Sequence, residues 1–169
     1  MKKLIKHLLI GLYAKLRDDK LKEFERVLPN NELLSDRWEK ATYLGFGENC
    51  SIYDSSYVFG KVKVGEKTWI GPNTILDGSG ELEIGSNCSI SAGVQIYSHS
   101  TVEWAVSGGA EQYKYSKTII GDNCYLGPNS KVAMGVELGS GTIVGASSFV
   151  NKSFPSGSKV AGCPARIID

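Results

Sequence analysis

The chain has 169 residues with 19 basic and 18 acidic side chains, two histidines and a formal net charge of +1. That length accommodates one domain plus an accessory segment, and the even charge leaves no basic excess of the kind nucleic-acid binding requires. Twenty glycines against two methionines indicate many tight corners, while the four cysteines lack metal-ligand spacing and fit a reducing cytoplasm better than a disulfide framework.

Residues 1–43 are predicted to be helical. Leu4, Ile5, Leu8, Leu9, Leu12 and Leu16 recur at helical spacing, and Lys6, His7 and Lys15 interrupt any apolar run long enough to span a bilayer. No small-residue cleavage pattern follows, which argues against a signal peptide. A second helical stretch is predicted through Leu21, Phe24 and Val27, ending at Pro29 and the Asn30-Asn31 pair. Two readings stand for the first helix. Its apolar face covers an open end of the fold or a neighbouring subunit, or, given Lys2, Lys3, Lys6, Lys15 and Arg17, it makes a peripheral contact with the inner face of a membrane.

From residue 44 to 155 the chain keeps a six-residue beat. Apolar anchors fall at Phe46, Ile52, Val58, Val64, Ile70 and Leu76, then at Ile84, Ile90 and Ile96, and again at Ile120, Leu126, Val132, Leu138, Val144 and Val150. Glycine often follows the anchor, and a small residue such as Thr68, Thr74, Cys88, Cys124, Thr142 or Ser148 stands four places on. A period of six fits neither a 3.6-residue helix nor a heptad, but it suits a short strand followed by a corner. Three such edges close a triangular coil, and fifteen anchors make about five coils of an all-β solenoid at about 4.8 Å per coil. Cys50, Cys88 and Cys124 occupy the small-residue slot as buried apolar groups, and residues 156–169, which hold Cys163, are a C-terminal tail.

The beat breaks twice, and function is expected where a rigid scaffold is interrupted. Between Leu76 and Ile84 it gains two residues. From about residue 98 to 117 it yields to one long extruded loop, rejoining at Ile120, a whole multiple of six after Ile96. The loop carries Glu103, Trp104, Gly108-Gly109, Tyr113 and Tyr115, a composition suited to a pocket wall, and His99 stands at its exit. Imidazole accepts a proton near neutral pH.

The stretches IGSNCSISAGVQIYSH at 84–99 and IIGDNCYLGPNSKVAMGVELGSGTIVGASSFVNKSFPSGSKVAGCPARII at 119–168 resemble the hexapeptide-repeat acyltransferases, in particular the galactoside and maltose O-acetyltransferase and polysaccharide O-acetyltransferase branch. The resemblance spans about residues 46–168. It implies a left-handed parallel β-helix, acetyl-CoA as co-substrate without a metal, and a homotrimer with active sites between subunits. His99 matches the general base that lets an acceptor hydroxyl attack the thioester directly. Some relatives pair that histidine with a carboxylate, for which Glu103 is a candidate. Asn73 matches a sugar-contacting asparagine, Asp77 is a further acceptor-site candidate, and Trp104 belongs to the acceptor wall. Ala146 matches a pantetheine contact, Asn151 and Lys152 match a pair near the nucleotide, and Arg166 matches a cation near the phosphates. Tyr125, where tryptophan is frequent, Cys163 before Pro164, and Ser100-Thr101 after His99 depart from the family pattern and leave the acceptor open.

The function implied is O-acetylation of a sugar or surface-polysaccharide precursor, in the cytoplasm or at the inner membrane face. N-acetylation of an amino sugar or of an antibiotic is the alternative. A hexapeptide carbonic anhydrase needs three zinc-bound histidines, and only His99 lies in the repeat region. A pure scaffold would bind no coenzyme A.

Overall fold

The computed structural model describes all 169 residues. The hexads fold as two-residue strands joined by corners, and strands one coil apart pair in parallel. One face stacks Ile52, Ile70, Ile90, Leu126, Val144 and Val160. A second stacks Val58, Leu76, Ile96, Val132 and Val150. A third stacks Val64, Ile84, Ile120 and Leu138, with Phe154 bridged to Leu138 at its end. Fourteen of the fifteen anchors are buried, and Val58 is partly so. No coil could bury this interior alone, so each rung is stabilised by its neighbours. The first face has six rungs, one more than the expected five coils. The sixth is the strand Lys159–Gly162, so the solenoid continues past residue 155 and is closed by the antiparallel strand Ala165–Ile167.

The corners have a chemistry of their own. The third residue after most anchors has positive φ, as at Asn49, Asn73, Asn87, Asn123, Asn129, Gly93, Gly135 and Gly141. Asparagine and glycine are the residues that accept this left-handed conformation most readily. Polar small-slot residues then stitch one coil to the next. Thr68 Oγ1 donates to the Gly85 carbonyl at 2.8 Å, Ser56 Oγ to Gly71 at 2.8 Å and Cys88 Sγ to Gly121 at 3.1 Å.

At the N-terminus α1 is a single helix, Lys2–Phe24, closed by Glu25 in the left-handed region. The second helical stretch expected from Leu21 is the end of this helix, and it stops short of Val27. Pro29 does not end helical structure, since α2, Asn30–Leu34, starts immediately after it. The helix α3, Arg37–Tyr43, begins with the Asp36 carboxylate accepting from the Trp38 and Glu39 amides. It buries Ala41 against the first coil, and Lys40 Nζ donates to the carbonyls of Tyr53, Asp54 and Ser56 at 3.2, 2.9 and 3.3 Å. The cover of the open end is therefore α3 and not α1, which buries no residue and packs against α2.

Candidate active site

The two breaks in the beat meet in space, at the corner between the second and third faces. The strands Tyr57–Val64 and Ile75–Ile84 run side by side around this corner, with Val58 opposite Leu76 and Val64 opposite Ile84. One needs six residues for the passage and the other eight, so the register shifts between Gly60 and Val62 and the longer strand bulges at residues 79–81, just after Asp77 and Gly78. The bulge lies against the root of the long loop. Gly80 N donates to Ser98 Oγ at 2.8 Å, and Ser116 N donates to the Ser98 carbonyl at 3.0 Å. A β-carbon on Gly80 would collide with that same carbonyl, so glycine is required for this close approach.

The product of this convergence is an Asp77–His99 pair. Asp77 is 1% exposed, and its Oδ1 accepts from the Ser79 amide at 3.0 Å and the Ser79 hydroxyl at 2.5 Å. Its Oδ2 accepts from the Ser98 amide at 3.0 Å and faces His99 Nδ1 at 2.5 Å. Burial alone would raise the Asp77 pKa, but the hydrogen bonds from Ser79, Ser98 and His99 outweigh it and hold the carboxyl below its ordinary value. A carboxylate acceptor assigns the imidazole proton to Nδ1, which leaves the lone pair on Nε2. Nε2 has no hydrogen-bond partner within the chain, and the side chain is 32% exposed. His99 occupies the third place after Ile96, where other coils turn with positive φ. It does not adopt that conformation, and the chain leaves as the strand His99–Ser100, antiparallel to Lys114–Tyr115. Tyr115 stacks on the imidazole, with ring centroids 6.2 Å apart. The arrangement is a part-exposed imidazole with an ionised, buried carboxylate behind it, a geometry suited to general-base chemistry.

The rest of the loop ties to itself. It contains α4, Val102–Val106, from which Trp104 meets Tyr113 edge to face at 5.4 Å while Gly109 N donates to the Trp104 carbonyl at 2.8 Å. Glu103 does not reach His99. It pairs with Lys114 Nζ at 2.6 Å, and that hydrogen bond holds its pKa below the usual carboxylate value. The carboxylate behind the histidine is Asp77, expected from the sequence only as an acceptor-site candidate.

The remaining expected site residues divide between two corners. Asn73 and Ala146 lie between the first and second faces, one face away from His99; Asn73 turns its corner at φ 58° beside Pro72, Ser55 and Glu32. Asn151 and Lys152 lie on the His99 corner, further along the stack, with Lys152 Nζ 5.4 Å from the Phe154 ring centroid. Arg166 lies on the closing strand, where its guanidinium donates to the Ala165 carbonyl. A groove of about 710 Å³ runs over the third face, lined by Ile119, Glu137, Leu138, Ser153, Phe154 and neighbouring residues, and none of the expected site residues lines it.

Comparison with known proteins adds relatives to this geometry. The family described as bacterial transferase hexapeptide (six repeats) matches residues 117–152. YvoF of Bacillus subtilis (strain 168), named as an acetyltransferase, is 33% identical over 88 residues, which cover 52% of this chain and 47% of YvoF. WcaF of Escherichia coli (strain K12), named as a colanic acid biosynthesis acetyltransferase, is 31% identical over 112 residues, covering 64% of this chain and 58% of WcaF. The chain thus spans about half the length of these curated relatives. Among solved structures, a variant of AntD, an N-acyltransferase from Bacillus cereus in complex with dTDP and coenzyme A, superposes with TM-score 0.65 at 21% identity over 78% of this chain and 87% of AntD. The hexapeptide-repeat acetyltransferase VCA0836 from Vibrio cholerae superposes with TM-score 0.56 at 18% identity, covering 100% of this chain and 98% of its own. At these identities the likeness is one of fold.

Proposed function

We propose that this chain, whose residues 117–152 match the bacterial transferase hexapeptide family and whose fold is that of a hexapeptide-repeat solenoid, is a left-handed β-helix acetyl-CoA-dependent O-acetyltransferase acting on a hydroxyl of a sugar or surface-polysaccharide precursor. The observation that carries the reading is His99 Nε2, free and half-open, on an imidazole whose other nitrogen is engaged by buried Asp77. The names of YvoF and WcaF support the same reaction class.

In this mechanism the acceptor hydroxyl donates to Nε2 as its oxygen attacks the thioester carbonyl. The C–O bond forms, the proton passes to His99, and the imidazolium is stabilised by the Asp77 carboxylate across Nδ1. Collapse of the tetrahedral intermediate breaks the C–S bond, and the thiolate of coenzyme A takes the proton back from Nε2. Asp77 remains ionised throughout, as its lowered pKa allows. An amine acceptor would follow the same path, and it is kept as the alternative because the family's fold also carries N-acyltransfer in AntD.

The division of expected residues between two corners supports a homotrimer. The corner bearing His99, Asp77, Asn151 and Lys152 on one subunit would face the corner bearing Asn73 and Ala146 on the next. Trp104 would wall the acceptor, and Lys152 and Arg166 would attract the coenzyme phosphates as point charge and planar fork. This reading puts the reaction in the cytoplasm, where acetyl-CoA is made.

The test is a thiol-release assay with acetyl-CoA against a panel of sugars, nucleotide sugars, amino sugars and lipid-linked glycans, with mass spectrometry of the product. Thiol release that depends on a hydroxyl acceptor is expected. Acetylation only of amines would overturn the O-acetyl reading, and absence of coenzyme A binding in calorimetry would overturn acyl transfer altogether.

A further inference from the structure

We propose that α1 is a docking element for an anionic lipid bilayer, on which it lies in the plane of the headgroups. The helix buries none of its 23 residues. Leu4, Ile5, Leu8, Leu9 and Leu12 line one stripe and remain 49–66% exposed. Only around Tyr13 and Leu16, where α2 packs, is the helix partly covered, and a helix that costs conformational entropy to order yet leaves such a stripe open is completed by a partner surface.

Charge identifies that surface. Residues 1–17 carry five cations, Lys2, Lys3, Lys6, Lys15 and Arg17, and no acid, the first being Asp18. The remaining 14 basic and 18 acidic side chains leave the rest of the chain with an acid excess of four. The near-neutral total therefore conceals a basic apolar helix on an acidic body. An anionic bilayer attracts the first and repels the second, which orients the protein on the surface. After Arg17 the pattern changes: Asp18 and Asp19 enter, and Leu21 and Phe24 project, as Ile10 already does, from the side opposite the stripe. The docking part is thus the first 16 helical residues, about 24 Å long at 1.5 Å per residue. No helix of the structure is long and apolar enough to cross a membrane, so the element lies on the surface.

A second copy of the chain offers a poorer match. Of the outward apolar residues of the prism, which also include Tyr57, Phe59 and Tyr125, Ile143 and Phe149 have Lys159 and Lys131 as their register partners, and these cations would face the cations of α1.

Co-flotation of the full chain with vesicles of phosphatidylcholine containing phosphatidylglycerol tests the proposal. Flotation with these vesicles is expected, with little on pure phosphatidylcholine and release at high salt. The triple variant Lys2→Gln, Lys3→Gln, Lys6→Gln should partition on the order of 100-fold more weakly. The variant Leu4→Glu, Leu8→Glu should not float, while circular dichroism shows its helix retained. No flotation of the wild type, equal flotation on pure phosphatidylcholine, or flotation unchanged in both variants would overturn the proposal. So would a wild type that fails to float together with a leucine variant of lower oligomer mass in sedimentation, which would assign α1 to a second copy.

Discussion

Asp77 and His99 stand 22 places apart in sequence, each at a break in the hexad beat, and their side chains meet at 2.5 Å. The solenoid explains how. Leu76 and Ile96 are register partners on adjacent coils, so the residues that follow them leave the same corner one above the other. At the start of the bulge one carboxylate is held by Ser79 and Ser98, and the loop exit brings one imidazole over it.

Replacing Asp77 by Asn should leave the side chain in place but remove the charge that holds the imidazole tautomer and stabilises imidazolium. Turnover is expected to fall on the order of 10²-fold, with the acetyl-CoA KM little changed. Glu103→Gln, by contrast, should leave turnover near the wild-type value, because Glu103 is tied to Lys114 and not to His99. Steady-state kinetics of the two variants side by side checks both.

The same carboxylate should be visible in stability against pH. Its pKa is lowered in the fold, so its stabilising contribution is complete above the ordinary aspartate value of about 3.9 and is lost as pH falls through the lower folded value. Chemical denaturation of wild type and Asp77→Asn should therefore differ most at neutral pH and converge in strong acid. A gap that widens on acidification would contradict the assignment.

Gly80→Ala is expected to uncouple the two breaks. Its β-carbon would displace the Ser98 carbonyl, and Ser98 N is one of the donors holding Asp77. The variant should keep its β-helix, seen by circular dichroism, while losing turnover through a misplaced His99.

Two threonines in equivalent corner slots should respond differently to valine. Thr74 Oγ1 is buried without a partner, so Thr74→Val should be neutral or stabilising. Thr68 Oγ1 donates to Gly85 and accepts from Cys88 N, so Thr68→Val should cost about 1–3 kcal/mol. Thermal and denaturant midpoints of the pair provide the check.

The solenoid was legible because a period of six recurs at fifteen anchors, and each hydrophobic choice depends only on local spacing. The corner asparagines were legible in principle, since Asn49, Asn87, Asn123 and Asn129 hold equivalent places, but the reading rested on anchors and small slots. His99 could be found as the histidine at the longest break. Its partner could not, because the distance from residue 77 to residue 99 depends on a bulge whose direction is set by Gly80 against Ser98. Glu103, the nearer carboxylate in sequence, is instead engaged by Lys114, which the antiparallel pairing of His99–Ser100 with Lys114–Tyr115 sets beside it. The role of α1 was obscured for a further reason: a helix that buries no residue and meets only α2 in its own chain leaves little internal pattern to read.

The most direct test of the central claim is the single-turnover rate of acetyl transfer in His99→Ala, measured with saturating acetyl-CoA and an accepted hydroxyl substrate. If His99 is the general base, the rate falls by about 10²–10⁴-fold while the coenzyme still binds. A rate near that of the wild type would contradict the assignment and remove the Asp77–His99 pair from the chemistry.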